Sequence, residues 1–244
     1  MTYCVAMCLQ EGIVFAGDTR TNAGIDHVST FRKMYKFGIN GERSIILLTA
    51  GNLATSQAVI NMLFRGIQQE SEHNLHNVSS LFDAAMLVGE YVSSVAKTTQ
   101  HRAHSQEGFG SSFLLGGQIR GQVPELYQIY QEGNCIRATR DTPYLQIGES
   151  KYGKPILDRA MSYGSSLEEA VRAILVSFDS TIRSNLSVGF PIDLAVYLND
   201  SFALPEGIRI DDNDPYMHNI RRQWSEGLKN TLQSLNEPPE YYFK

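Results

Sequence analysis

The chain has 244 residues, of which 42% are hydrophobic, and a formal net charge of −5. This length and composition suit one α/β domain with its own core, and the negative charge argues against a nucleic-acid or anionic-membrane partner. The longest apolar run, residues 45–48, is far too short to span a membrane, and the start lacks a charged segment ahead of an apolar one, so a cytoplasmic protein is expected.

The first predicted element is a β-hairpin at the start of the chain. Residues 2–9 and 13–18 have strand-like composition, and the Gln10-Glu11-Gly12 segment between them is a tight-turn signal. Facing positions in such a hairpin have numbers that sum to roughly 21 to 23. Thr2 is therefore expected to lie close to Asp18.

Thr2 can form a nucleophile that carries its own base. If Met1 is removed, Thr2 has a hydroxyl group and a free α-amine. The reference pKa of an α-amine is about 8. The amine is therefore partly neutral near neutral pH and can accept the hydroxyl proton.

A second hairpin is predicted around Asn40-Gly41, a strong turn dipeptide. Its strands place Lys33 near Leu48, at the end where Gly51 leaves the sheet. The residues after Gly51 predict a helix, because their apolar side chains form one stripe. The stripe contains Leu53, Val59, Ile60, Leu63, Phe64 and Ile67. Amides at a helix start point outward and favour an anion, so the Gly51 amide is a candidate oxyanion donor.

The rest of the chain predicts further helices and strands in order. Ser80-Leu-Phe-Asp83 and Ser166-Leu-Glu-Glu169 resemble capping boxes that each open an amphipathic helix. The polar segment 100–110 predicts a loop. Strands are predicted at residues 113–118, 126–130, 135–137 and 192–198.

Neither a metal nor a cofactor is expected. Two histidine pairs have spacings that occur in metal sites, but no cysteine or carboxylate accompanies them at a fixed offset, so solvated loops are favoured. The pairs are His73 with His76 and His101 with His104. Cys4 and Cys8 lie about 13 Å apart on one strand, which is too far for a disulfide, so the cysteines are expected to be reduced and buried.

In these segments the chain resembles the proteasome β-subunit family of N-terminal nucleophile hydrolases, and within it the bacterial Anbu branch. Four motifs carry the resemblance in order: TYCVAM from Thr2, GIVFAGDTRTNAG from Gly12, RKMYKF from Arg32 and LTAG from Leu48. Weaker matches follow at GESKYG from Gly148 and IDLAV from Ile192. The resemblance covers the chain to about residue 200.

The resemblance implies an α+β fold, a four-layer αββα sandwich, and a threonine endopeptidase that cleaves peptide amide bonds in peptides or unfolded proteins. It implies that Thr2 is the nucleophile, that Asp18 and Lys33 form a supporting ion pair, and that the Gly51 amide binds the oxyanion. It also implies substrate contacts, although core packing explains the apolar side chains among them equally well. The implied substrate-binding residues are Thr21, Asn22, Phe31, Tyr35, Thr49 and Leu53.

The chain departs from the family pattern at several positions. Lys33 comes one residue early, which indicates a shortened loop around residues 25–30, and Asn22 replaces a threonine. Later motifs that orient and tune the terminal amine in the family also differ. The family's Gly-Ser-Gly loop is Gly148-Glu149-Ser150 here, and Asn185-Leu-Ser-Val-Gly offers no acid and misplaces the serine. Two alternatives therefore stay open: a catalytically silent scaffold subunit, and an amidohydrolase for a small nonprotein substrate.

The end of the chain is expected to be an assembly extension. We divide the sequence into a hydrolase domain at residues 1–210 and an extension at residues 211–244. The extension predicts a helix over residues 216–235 and a proline-stiffened tail that ends in Tyr241-Tyr-Phe-Lys. Aromatic surface segments are enriched at interfaces, and the family works as rings or stacked multimers. A homo-oligomer, either a ring or a helical multimer, is therefore expected, with the tail docked on a neighbouring subunit.

Overall fold

A computed structural model describes residues 2–22, 28–103 and 109–244, without the side chains of residues 22, 28 and 100–103. The strands are β1 (Tyr3–Cys8), β2 (Gly12–Asp18), β3 (Arg20–Asn22), β4 (Val28–Thr30), β5 (Met34–Ile39), β6 (Arg43–Gly51), β7 (Ser111–Ile119), β8 (Glu125–Ile129), β9 (Cys135–Arg137), β10 (Tyr144–Gly148), β11 (Ile192–Leu198) and β12 (Ile208–Ile210). The helices are α1 (Leu53–Gln68), α2 (Leu81–Ala103), α3 (Lys154–Ala160), α4 (Leu167–Ser184) and α5 (Pro215–Ser234), followed by a single 3₁₀ turn at Glu240–Phe243.

Two antiparallel sheets form the centre of the molecule. The first sheet has the strand order β10-β1-β2-β11-β12, and the second has the order β5-β6-β7-β8-β9. Strands β3 and β4 form a separate small hairpin. The N-terminal strand β1 therefore lies inside the first sheet, between β10 and β2, and is fixed on both sides.

The apolar core is divided into three layers, and these layers define the architecture. One cluster packs α3, α4 and α5 on the first sheet, and another packs α1 and α2 on the second. The third lies between the two sheets, with Phe15 and Tyr197 from one sheet and Leu48 and Leu114 from the other. Helices, sheet, sheet and helices follow one another, as a four-layer αββα sandwich requires. The predicted fold class is confirmed.

The N-terminal hairpin forms as the sequence predicts. Cys4 pairs with Gly17 and Cys8 with Ile13, so facing positions sum to 21, which lies within the predicted range. The Leu9 amide donates to the Gly12 carbonyl at 2.8 Å and closes the turn. This register brings Thr2 to the end of the sheet at which β2 finishes with Asp18.

The second hairpin also forms and sets Lys33 near Leu48, as predicted. Met34 faces Leu48, and Ile39 faces Arg43, which leaves three residues in the turn. The Lys33 carbonyl accepts the Thr49 amide at 3.0 Å. Lys33 therefore lies at the end of β6 that leads to Gly51.

Several elements were not predicted or extend beyond their predicted limits. The sequence did not indicate β3, β4, β10, α3 or β12, and β4 occupies the end of the predicted shortened loop at residues 25–30. Helix α2 continues through Ala103, so the start of the predicted loop at residues 100–110 is helical. Residues 104–108, which include His104, and residues 23–27, which include the start of the predicted shortened loop at residues 25–30, lie outside the described part of the chain.

The cysteines are free, as expected, but only Cys4 is buried, whereas Cys8 and Cys135 are half-buried. Cys8 lies at the end of β1, and its thiol points to the Pro124 carbonyl at 3.9 Å. Among the described residues, none of the helices has the length and apolar character that a membrane span requires.

Helix α4 covers the first sheet, and a complete capping box fixes its start. The Ser166 hydroxyl accepts the Glu169 amide at 3.2 Å, while the Glu169 carboxylate accepts the Ser166 amide at 2.9 Å. We expect Ser166→Ala to lower the free energy of unfolding by about 1 kcal/mol and the melting temperature by about 2 to 4 °C, measured at fixed protein concentration.

The matched control for this cap is Ser94→Ala, in the exposed interior of α2. Alanine has the higher helix propensity there, so this variant should be as stable as the parent or slightly more stable. Equal melting temperatures for the two variants would contradict a stabilising role for the cap.

Helix α5 packs on the domain only through its first half. Asp214 caps it by accepting the Met217 amide at 2.8 Å, and Met217 and Ile220 are buried against α4. Arg221 reaches across to Asp179 on α4 at 3.0 Å. From residue 226 to residue 244 every side chain is exposed.

Candidate active site

The site forms where the two sheets meet at one end of the sandwich. The first sheet contributes Thr2, just before β1, and Asp18, at the end of β2. The second sheet contributes Lys33, just before β5, and Gly51, at the end of β6. The four predicted catalytic residues therefore come from two different layers.

Lys33 is the centre of the hydrogen-bond network. Its Nζ donates to Thr2 Oγ1 at 2.7 Å, to Asp18 Oδ1 at 2.7 Å and to the Arg20 carbonyl at 2.6 Å. An ammonium group has three protons to donate, and each of them has an acceptor here. The sequence did not identify the Arg20 carbonyl, since a backbone acceptor has no residue-type signal.

Asp18 is completely buried and is held from three directions. Besides Lys33, its carboxylate accepts the Tyr3 amide at 3.0 Å and the Gly189 amide at 3.4 Å. Burial raises the pKa of the Asp18 carboxyl, while Lys33 and the two amides act in the opposite direction. The charge of Lys33 therefore compensates for the cost of placing this acid in the interior.

The backbone of Thr2 is fixed by the loop that follows β10. The Glu149 amide donates to the Thr2 carbonyl at 2.7 Å, and Gly148 packs so closely that a Cβ atom there would lie 2.0 Å from the same oxygen. Gly148 also has a φ of +83°, a conformation that L residues rarely adopt. Glycine is required here because both the space and the backbone conformation exclude a side chain.

Two of the residues that depart from the family pattern contact each other beside Thr2. The Asn185 amide group donates to Glu149 Oε2 at 3.0 Å, and the Lys151 amide donates to Glu149 Oε1 at 3.3 Å. Asn185 in turn accepts the Ser187 amide at 2.9 Å. The sequence identified Asn185 and Glu149 only as differences from the family pattern. It did not indicate that the two side chains contact each other.

Gly51 is the last residue of β6 rather than part of a helix start. Asn52 follows as the N-cap of α1 and accepts the Thr55 amide at 3.1 Å. The Thr49 amide faces β5, because it donates to the Lys33 carbonyl. Amides of alternate residues point to the same neighbouring strand, so the Gly51 amide is expected on the β5 side, near Lys33.

The six predicted substrate-binding residues occupy several elements around this end of the sandwich. Thr21 and Asn22 are in β3, with the Asn22 side chain outside the description, and half-exposed Phe31 lies between β4 and β5. Tyr35 packs on the face of the second sheet that α1 covers, and strand alternation puts Thr49 on that same face. Leu53 is the first residue of α1.

Cys4 is the other potential nucleophile near Lys33. Its thiol donates to the Thr49 carbonyl at 3.6 Å, and complete burial raises its pKa far above the ordinary value. The reactive thiolate is therefore suppressed. Among the described residues, no group of three histidine, cysteine or carboxylate side chains could hold a metal ion.

Comparison with known proteins assigns the family. The model of the family described as "Proteasome subunit" matches residues 2–197. The chain belongs to this family. No match was found among the curated proteins.

Solved structures of Anbu proteins are similar to the chain over nearly its whole length. The helical assembly of the Anbu complex from Pseudomonas aeruginosa is 55% identical, with a TM-score of 0.94, and the match covers 98% of this chain and 99% of that one. Anbu, the ancestral beta-subunit, from Yersinia bercovieri is 48% identical, with a TM-score of 0.92 and coverage of 97% and 99%. A mutant Anbu from Hyphomicrobium sp. strain MC1 is 44% identical, with a TM-score of 0.91 and coverage of 98% and 100%. The predicted resemblance to the Anbu branch is thus confirmed.

Proposed function

We propose that this proteasome-family subunit is a threonine-type hydrolase that cleaves peptide amide bonds through Thr2 after removal of Met1. The observation that carries the proposal is the short contact between Lys33 Nζ and Thr2 Oγ1, 2.7 Å, within a buried pair of Lys33 and Asp18. A buried lysine beside a hydroxyl favours the alkoxide that forms when the proton leaves.

Thr2 supplies both the nucleophile and the base of the proposed reaction, and the other three residues support it. Thr2 Oγ1 attacks the substrate carbonyl, and the Thr2 α-amine takes the proton and then gives it to the leaving amine. Lys33 lowers the cost of negative charge on the oxygen, and Asp18 keeps Lys33 protonated and oriented. The Gly51 amide donates to the oxyanion of the tetrahedral intermediate, and water then hydrolyses the ester.

We further propose that the substrate is a peptide or unfolded protein that extends along β3 and the end of β6. Backbone groups of Thr21 and Asn22 would pair with the substrate backbone. Side chains from Phe31, Tyr35, Thr49 and Leu53 would contact the substrate side chain next to the cleaved bond. No cofactor takes part in this reaction.

We propose that the protein acts in the cytoplasm as a homo-oligomer, with residues 211–244 as an assembly extension and without a nucleic-acid or membrane partner. The free state of all three cysteines supports a reducing compartment, and the net charge of −5 supports the absence of polyanionic partners. The helical assembly of the Pseudomonas aeruginosa relative supports a multimer.

The contact between Asn185 and Glu149 supports a second candidate function. These residues occupy positions at which the family pattern has an acid and a serine that tune the amine, and the change favours a catalytically weak or silent scaffold subunit. If Thr2 reacts with an electrophile but the protein cleaves no peptide, an amidohydrolase for a nonprotein substrate would be favoured instead.

Covalent labelling tests the proposal directly. An electrophile that closes a ring with a hydroxyl and an adjacent amine should add once per chain, at Thr2, and the intact mass should lack the Met1 residue. Thr2→Ala should abolish labelling completely, whereas Thr30→Ala, at an exposed threonine of β4, should label like the parent. A labelled Thr2→Ala protein, or a fully assembled protein that retains Met1, would reject the proposal.

A further inference from the structure

A groove of about 650 Å³ crosses the outer face of the helices that cover the first sheet. It lies between α3, α4 and the second half of α5, on the side of the molecule that faces away from the sheets. Its floor and walls are mainly apolar. The apolar side chains are Tyr152, Ile156, Met161, Val176, Trp224 and Leu228.

The apolar stripe of α5 continues beyond its contact with the domain. Ile220, Trp224, Leu228 and Leu232 follow at four-residue spacing, so they share one face of the helix. Ile220 is buried, but Leu228 is 52% exposed and Leu232 is 71% exposed. The domain thus covers one end of the stripe and leaves the other open beside the groove.

The chain also carries an apolar segment that nothing in its own domain covers. Tyr241, Tyr242 and Phe243 are 68%, 69% and 77% exposed, although the 3₁₀ turn at Glu240–Phe243 gives them a defined conformation. Pro239 precedes the turn in extended backbone and limits its flexibility. Three consecutive exposed aromatic residues on an ordered segment are typical of an interface.

The groove has a net positive charge, whereas the tail carries acids. Arg159, Arg172 and Glu169 line the groove, and the Glu169 carboxylate is already bonded to the Ser166 amide in the cap of α4. Neither arginine forms an ion pair within the described residues. The tail carries Glu237 and Glu240 next to its aromatic residues. A tail seated in the groove would bring these acids to the two arginines.

We infer that the groove between α3, α4 and α5 binds the aromatic tail, residues 237–243, of a second copy of this chain. The inference rests on the homo-oligomer proposed above and names the two surfaces that meet in it. Each copy has one groove and one tail, and both are exposed in the single chain, so pairing between copies buries both. The aromatic side chains fill the groove, and the acids of the tail pair with Arg159 and Arg172.

A charge-exchange experiment on the full chain tests this contact. Arg172→Glu reverses the charge of the groove, and Glu240→Arg reverses that of the tail; both sites are exposed, so neither change threatens the fold. Each single variant, and the triple change of Tyr241, Tyr242 and Phe243 to serine, should weaken self-association by about 30-fold or more. The combined Arg172→Glu, Glu240→Arg variant should regain about tenfold of that loss. Sedimentation velocity over a range of concentrations measures these effects.

Val123→Ser, at another strongly exposed apolar residue on a different face, is the matched control and should associate like the parent. If the tail docked on its own chain, the variants would lower the melting temperature without changing the mass distribution, and the inference would be wrong. If only the tail variants weakened association, the tail would dock on a surface other than this groove. The labelling of Thr2, measured on the same samples, reports on the proposed hydrolase independently of assembly.

Discussion

Replacement of Lys33 by methionine is expected to remove both the reactivity of Thr2 and a large part of the stability of the fold. A lysine on the surface of a protein can usually be replaced with little loss of stability. In the structure, however, Lys33 is 4% exposed and its partner Asp18 is 0% exposed. Removal of one partner leaves a buried unpaired carboxylate, which costs about 3 to 5 kcal/mol out of a typical total of about 5 to 15 kcal/mol.

A double variant separates the two effects. In Asp18→Asn, Lys33→Met neither charge of the buried pair remains, so the free energy of unfolding in urea should be higher than in Lys33→Met alone. Labelling of Thr2 should stay at least about 10³-fold slower than in the parent, because the ammonium group is still absent. Lys36→Met, three residues after Lys33, within β5 and partly exposed, is the control for the loss of a lysine. Lys33→Met protein that labels at the parental rate would remove Lys33 from the mechanism.

The second large effect is expected from Gly148→Ala. The new methyl group would lie 2.0 Å from the Thr2 carbonyl oxygen, so Thr2 must move away from the Glu149 amide and from Lys33. We expect labelling to fall by about 10²-fold or more, because catalysis depends steeply on position. The free energy of unfolding should fall by more than the roughly 1 to 3 kcal/mol that the left-handed backbone alone costs an alanine.

Gly121→Ala provides the matched control. Gly121 has a φ of +84°, almost the same as at Gly148, but no atom lies within 4 Å of a Cβ built there. This variant should show the backbone strain without any displacement of Thr2, so it should lose some stability and label normally. If both variants labelled equally well, the contact between Gly148 and Thr2 would have no role in positioning the nucleophile.

Local turn signals made part of the site predictable. The Gln10-Glu11-Gly12 turn fixed the register of β1 and β2, and that register alone brings Thr2 to Asp18. The Asn40-Gly41 signal located the second hairpin and the end of β6 near which Lys33 lies, but not the number of residues in the turn. A turn dipeptide indicates where the chain reverses, whereas the flanking pairing decides how many residues the turn contains.

The elements that the sequence did not indicate have weak local signals. Strand β10 is a short strand at the edge of its sheet, and α3 has seven residues and no side-chain cap. Such segments form because the neighbouring layers already provide a surface. The same reason hid the contact between Asn185 and Glu149, since these residues are far apart in the chain and meet only when α4 and the β10 loop are both in place.

The division of the site between two sheets has a consequence for the newly made chain. Strand β2 pairs on one side with β1, but on the other side with β11, residues 192–198. β11 leaves the ribosome only after most of the chain has been made, and domains form as their segments emerge. Until then the first sheet lacks an inner strand, and Gly189, which holds Asp18, is also missing. A partly synthesised subunit therefore lacks part of the contacts around Asp18, so the proposed hydrolytic site is complete only when β11 has joined the sheet.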